Sequence, residues 1–205
     1  MSEATVEQRQ RIDEATAKQV NLAPIHNKEK LAVWFFLGGE VILFGTLILT
    51  YILFRLTFPD QYASFRSHLN VLLIGANTFV LITSSYFVVR ALDAIKENRL
   101  NAFLLNLMVV LLLGSVFIGG QAYEWSQLFG EGIKLDNTFG SPFFIVTGIH
   151  GMHVLVGLAW VCIVLLFGTG RAYNSESYRA MEFLGLYWHF VDIVWIILFS
   201  VIYLL

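Results

Sequence analysis

Polar and apolar positions fall into long blocks along this chain rather than alternating. Residues 1–30 are polar, and five apolar runs follow at about 31–56, 69–92, 102–126, 142–168 and 183–205. Each run is roughly 23 residues or longer, and a helix needs ~20 to cross ~30 Å of hydrocarbon. Lipid offers no water to free backbone groups, so such runs are expected as helices. Strict period-two alternation, the mark of a membrane barrel, is absent. The pattern predicts an all-α, polytopic membrane helix bundle with five transmembrane helices over 31–205, preceded by a polar arm at 1–30.

The arm carries five acids (Glu3, Glu7, Asp13, Glu14, Glu29) and five bases (Arg9, Arg11, Lys18, Lys28, Lys30). No apolar core follows a charged start, so no cleavable signal peptide is expected. Pro24 is expected to end any helix in the arm before the membrane. The other bases set an orientation. The 90–101 loop holds Arg90, Lys96 and Arg99, and the 169–182 loop holds Arg171 and Arg179. With the arm, that puts ten of the thirteen Lys and Arg on one side, against Arg55, Arg66 and Lys134 on the other. The positive-inside rule then puts the N-terminus in the cytoplasm and the C-terminus outside.

Composition agrees with the block pattern. Of 205 residues, 57% are hydrophobic and 14% charged, where a soluble domain carries about 25% charged. Mean hydropathy is +0.69. A net charge of -2 gives no basic balance to draw nucleic acid. The single cysteine, Cys162, forms no internal disulfide or thiolate cage and reads as packing. Glycines recur within the spans (Gly38, Gly39, Gly45; Gly114, Gly119, Gly120; Gly148, Gly151, Gly157) and would let helices approach closely.

Ionisable groups at membrane depth are costly and point to function by default. The candidates are Glu40 in the first span, Glu124 in the third, His150 and His153 in the fourth, and His189 and Asp192 in the fifth, with Glu182 at the fifth's entry. Asn77, Thr78, Ser84 and Ser85 mark the second. Counting ~1.5 Å per residue, Glu40, Asp192 and His153 lie near one depth. His150 and His153 share a helix face but cannot clamp a haem from opposite sides. His150 and His189 would be ~11 Å apart in depth. No Glu-x-x-His pair of the di-iron type occurs. No resident metal and no catalytic residue is expected in this chain. Glu40, a lone carboxylate in an apolar run, is open to three readings: structural hydrogen-bond donor, proton relay, or reactive site. His189 and Asp192, flanked by Trp188 and Trp195, read as a face that docks another helix.

The last two spans carry a resemblance. Thr147-Gly148-Ile149-His150-Gly151-Met152-His153-Val154, followed by Gly157, resembles the T-G-x-H-G-x-H-V-x-x-G stretch of subunit III of haem–copper oxidases. Tyr187-Trp188-His189-Phe190-Val191-Asp192-Ile193-Val194-Trp195 is similar to that family's Y-W-H-F-V-D-x-V-W ending. Gln121-Ala122-Tyr123-Glu124-Trp125, Gly140-Ser141-Pro142-Phe143-Phe144 and Asn77-Thr78 with Leu81 and Ser84-Ser85 match further stretches in order. Glu40 falls where the family has its lipid-cleft carboxylate, with Gly39 before it where many relatives have Ser. The resemblance covers about 31–205, and the chain looks like the last five of the family's seven helices, the five-helix bacterial form.

The resemblance implies an accessory subunit in the bacterial cytoplasmic membrane. It would pack directly on oxidase subunit I, alongside subunit II and with a small subunit IV as a further candidate. Haem and copper would belong to the partner catalytic subunits, with bound phospholipid in this one and no nucleic acid as partner. Glu40 would be the buried carboxylate serving lipid binding and proton uptake. Glu124, His150, His153, His189, Asp192 and Asn77 would form an interhelical polar network. Two other readings are a subunit III-like partner of a nitric oxide reductase and a stand-alone small transporter or proton channel. The transporter needs a broken helix or a connected polar path; Pro142 sits at a helix start, where proline is tolerated. The residues do not distinguish a cytochrome c donor from a quinol.

Overall fold

A computed structural model describes residues 3–169, 173 and 178–205, with side chains described from residue 28 onward. The regular elements among the described residues are all helices, with no strand among them. The helices are α1 (Glu3–Thr57), α2 (Pro59–Arg66), α3 (Val71–Lys96), α4 (Leu100–Gly130), α5 (Gly140–Thr169) and α6 (Arg179–Phe199). A π-helical turn, Ser200–Leu204, follows α6. Five segments are long and apolar enough to cross a membrane: Lys28–Thr57 within α1, then α3, α4, α5 and Arg179–Leu204. Their ends fall within four residues of those of the five apolar runs.

Two local expectations change. Pro24 does not end a helix, because α1 runs through it. A proline removes one ladder hydrogen bond, and a long helix can continue past that loss. The short helix α2 falls where a loop was expected. Pro59 opens it with a φ already set for helix, and Asp60 lies in its first turn, toward the positive end of the helix dipole.

The described residues up to Ile42 form one unit and Leu43–Leu205 a second. In the second, α3 packs on α4 and α6, and α5 closes the ring against the same two helices. The buried positions show why. On α4 they are Phe103, Leu107, Val110, Gly114, Phe117, Gln121, Glu124 and Leu128, spaced four and three in turn. Met181, Leu184, Trp188, Val191, Trp195 and Leu198 on α6, with Ile202 in the π-turn after it, repeat the rhythm, and α5 repeats it through Phe143, Thr147, His150, Val154, Gly157, Val161 and Val164. A four-three seam averages 3.5 residues per repeat, the period of left-handed supercoiled bundles. The opposite face of α3 bears Leu72, Phe79 and Tyr86, seven apart and exposed, as suits lipid.

The helix ends explain the turns. Asn98, with φ of 57°, closes α3 while the Arg99 N–H donates to the Ala94 carbonyl at 2.8 Å. Gly132, with φ of 83°, ends α4 as the Ile133 N–H reaches back to Leu128 O at 3.0 Å. Both are left-handed stops, where Gly and Asn are tolerated. At the end of α6, Arg55 donates to Val201 O at 3.0 Å and to Leu205 O, and Arg66 donates to Leu205 O at 2.8 Å and to Leu204 O at 3.1 Å. Two guanidiniums thus engage the Val201 and Leu204 carbonyls of the π-turn, at its negative end, together with the oxygen of Leu205. At the other end of the bundle, Lys96 lies 3.8 Å from Glu182 and 5.2 Å from the centre of the Tyr178 ring.

Candidate functional site

The polar residues of the second unit gather around α6, the helix with the largest buried share of its span: 50%, against 28 to 33% for α3, α4 and α5. Toward α3 it makes side-chain hydrogen bonds. The Trp188 indole N–H donates to Ser84 Oγ at 3.0 Å, and the Trp195 N–H donates to Thr78 Oγ1 at 2.9 Å. Both hydroxyls donate in turn to their own helix, Ser84 to Leu81 O and Thr78 to Ile74 O. Ser85 Oγ and His189 Nδ1 form a third cross-helix bond at 2.6 Å. The buried Asp192 carboxyl stands beside Ser85. Spacings of seven on α6 and six on α3 bring both indoles over hydroxyls on one seam.

Toward α4 and α5 the means is shape. A Cβ added at Gly157 would stand 2.9 Å from Trp188 Cζ3, and one at Gly114 would stand 2.7 Å from Leu158 Cδ2 and 3.1 Å from Trp188 Cη2. Trp188 therefore occupies a slot between two glycines while its N–H is fixed from α3. His150 is fully buried and stacks on Trp195, with ring centroids 4.8 Å apart and planes 27° from parallel. Phe117 and Phe44 meet it edge-on at 6.0 and 6.3 Å. Neither of its ring nitrogens has a hydrogen-bond partner. His153 Nδ1 bonds to Ile149 O of its own helix at 2.7 Å, and Tyr187 donates to the His153 carbonyl at 2.9 Å.

The other named residues lie apart from this centre. Glu124, 2% exposed, accepts from the Tyr203 hydroxyl at 2.7 Å, which ties the C-terminal part of α4 to the π-turn after α6. Asn77 donates to Phe117 O at 2.9 Å, over Gly120, where a Cβ would meet its amide at 2.6 Å. Glu40 is half-buried and belongs to the first unit. Thus Glu124, Asn77 and His189 each bond to a residue outside the six named from sequence. The side-chain partner that sequence reasoning did not name is Tyr203, while Thr78, Ser84 and Ser85 were expected only as polar marks of the second span. Arg55 and Arg66, counted only as charges, hold the π-turn after α6.

Among the described residues no three of His, Cys, Asp and Glu gather in a cluster that could hold a metal ion. The three membrane-depth histidines are separately engaged, one in an aromatic cage, one on its own helix and one on Ser85. They do not fit haem or copper ligation.

Fold and site together define a multi-pass helical membrane protein whose buried polar groups join helices to one another. The family model described as cytochrome c oxidase subunit III matches residues 4–205, and the chain belongs to that family. It is 34% identical over 182 residues to a probable quinol oxidase subunit 3 of Staphylococcus saprophyticus, covering 87% of this chain and 90% of the relative. It is 35% identical over 189 residues to a cytochrome c oxidase subunit 3 of Alkalihalophilus pseudofirmus, covering 89% and 90%. A cytochrome c oxidase subunit 3 of Bacillus sp. strain PS3 is 32% identical over 185 residues, covering 89% of each. The chain is thereby a subunit of a terminal oxidase complex.

Proposed function

We propose that this chain is the non-catalytic subunit III of a proton-pumping bacterial haem–copper oxidase. It packs on catalytic subunit I, beside subunit II and a small subunit IV, in the cytoplasmic membrane. The observation that carries this reading is the use of the buried polar groups. Trp188, Trp195, His189, Asn77 and Glu124 bond to neighbouring helices, and His150 is enclosed by rings. Such a bundle supports a neighbour rather than performing chemistry itself. Haem and copper in the partner subunits supply oxygen reduction.

In this reading the N-terminus is cytoplasmic and the C-terminus outside, as the ten-to-three division of Lys and Arg favours. Two of the three bases on the poorer side hold the π-turn that follows α6, which gives them a reason to be there. Glu40 is the carboxylate on which bound phospholipid and proton uptake depend. Family membership and its half-buried place on α1 support that role.

The test is purification through a tag on the N-terminus, followed by a reduced-minus-oxidised optical spectrum of what is retained. Haem bands with a large polytopic partner that reduces oxygen are expected. A haem-free chain that purifies alone would overturn the reading. On the complex, Glu40→Gln and Glu40→Ala are expected to lower lipid content and shorten the turnover lifetime. Unchanged values for both variants would leave Glu40 with only a structural role.

A further inference from the structure

The π-turn after α6 carries Tyr203, 1% exposed, and α4 sets Glu124, 2% exposed, against it. The Tyr203 hydroxyl donates to Glu124 Oε2 at 2.7 Å, and the other carboxyl oxygen, Oε1, has no hydrogen-bond partner. A tie between two helices needs only a neutral acceptor. Other ties in this bundle use one: Asn77 donates to Phe117 O, Tyr187 to His153 O and Trp188 to the Ser84 hydroxyl. At Tyr203 the acceptor is a carboxylate, and burying one for a single hydrogen bond is costly. Joining the helices does not account for that choice.

A phenol opposite a base can do what a phenol opposite a carbonyl cannot. When it loses an electron it becomes a strong acid, so it is oxidised readily only where an acceptor takes its proton. Glu124 Oε2 stands within proton-transfer reach of Tyr203. Tyr62, whose buried hydroxyl has no hydrogen-bond partner, lacks such an acceptor. The transfer also removes charge from an apolar seam, since it leaves a neutral acid beside a neutral radical.

Rings lead to the pair. Tyr203 stacks on Phe199 with centroids 5.6 Å apart, and Phe143 meets it edge-on at 6.3 Å. Trp195 and Trp188, each 1% exposed, lie back along the same helix by about 12 and about 22 Å at ~1.5 Å per residue. Their indole N–H groups meet hydroxyls, which are weak bases. Of the three rings in this file, Tyr203 is the one with a strong proton acceptor, so an oxidising equivalent comes to rest there.

We propose that Tyr203 and Glu124 form a redox-active pair that takes up oxidising equivalents straying from oxygen chemistry. The oxidant is a one-electron acceptor of the oxygen-radical class, and it gains the electron. The Tyr203 O–H bond breaks, an O–H bond forms on Glu124 Oε2, and a tyrosyl radical and a carboxylic acid remain. Oxygen reduction itself does not run through the pair. That such an oxidant arises beside this chain rests on the oxidase reading; the pair itself does not.

The test is electron paramagnetic resonance on the intact complex, frozen after a flash of a water-soluble ruthenium photo-oxidant with persulfate as the electron acceptor. A tyrosyl signal is expected that outlives those of exposed tyrosines and that Tyr203→Phe abolishes. Glu124→Gln keeps an acceptor for the hydroxyl but takes no proton, and it should slow formation of the signal about a hundredfold, the lower end of what a positioned base contributes. Tyr86→Phe, at an exposed position on α3, should change nothing in the long-lived signal. The amount of subunit retained, read on the same sample, separates loss of the radical from loss of the chain. Hydrogen peroxide in place of the flash should raise the same signal, and the Tyr203→Phe complex should inactivate sooner than the wild type.

A long-lived signal that survives Tyr203→Phe, or forms as fast in Glu124→Gln, would overturn the inference, as would the absence of such a signal. A signal by flash but none with peroxide would overturn the role as a sink. The flash needs no haem, so a chain that purified without an oxidase would overturn the oxidase reading while the flash still tested the pair.

Discussion

The two sides of α6 are held by different physics. Toward α3 the contact is chemical: two indole N–H groups and an imidazole meet three hydroxyls. Toward α4 and α5 it is steric: glycines at 114 and 157 make the slot that Trp188 fills, and rings close around His150. In water, apolar burial would drive such packing. In lipid, that force is nearly absent between helices, so close approach and hydrogen bonds decide which faces meet. A missed contact on the steric side leaves helices clashing or a void. A missed bond on the chemical side lets the hydroxyl fall back on its own helix, as Ser84 and Thr78 already do through their protons. The steric side should therefore be the less forgiving.

The largest effect should come from Gly157→Leu. Its Cβ alone would overlap the Trp188 ring, so the helices must separate. A loss of about 3 kcal/mol or more is expected, at or beyond the usual range for overpacking. The measurement is the amount of this subunit retained in the purified complex, which should fall sharply. Full retention would show that the slot is loose. Trp188→Phe should cost about 2 kcal/mol, since it opens a void in the slot and removes the bond to Ser84 together. Denaturant titration of the reconstituted subunit would read it.

Two smaller changes sharpen the contrast. Tyr203→Phe leaves Glu124 with no hydrogen-bond donor and should cost about 1 kcal/mol. Glu124→Gln in the Tyr203→Phe background should recover part of it, because an amide is cheaper to bury unpaired than a carboxylate. Ser85→Ala should cost only about 0.6 kcal/mol, the usual size of an interhelical bond in lipid. A loss from Ser85→Ala as large as that from Gly157→Leu would reverse the ranking of the two sides.

The spans were legible because twenty apolar residues in a row have one economical use in lipid. The seam was not. In a soluble helix the apolar stripe names the buried face, but these helices are apolar all round, so hydrophobicity does not separate Phe117, buried on α4, from Leu112, exposed on it. The seam is marked instead by small and polar residues, Gly114, Gln121 and Glu124 on α4, and Thr147, His150 and Gly157 on α5. Those residues were singled out as glycines, motif members or functional candidates before their four-three spacing was visible as one line. The pairing of Glu124 with Tyr203 spans 79 residues and follows only from the ring of helices. Helix α2 was missed because eight mostly polar residues carry no span signal, and Pro24 was overvalued as a stop.

The central claim is that this chain supports an oxidase without doing its chemistry. The most direct measurement compares the intact complex with one stripped of this subunit, by haem spectrum, initial oxygen-reduction rate and turnover lifetime in the same membrane. The account predicts an unchanged haem spectrum and initial rate with a shortened lifetime, restored when the subunit is added back. Loss of the haem bands on stripping, or haem that leaves with this chain, would contradict it.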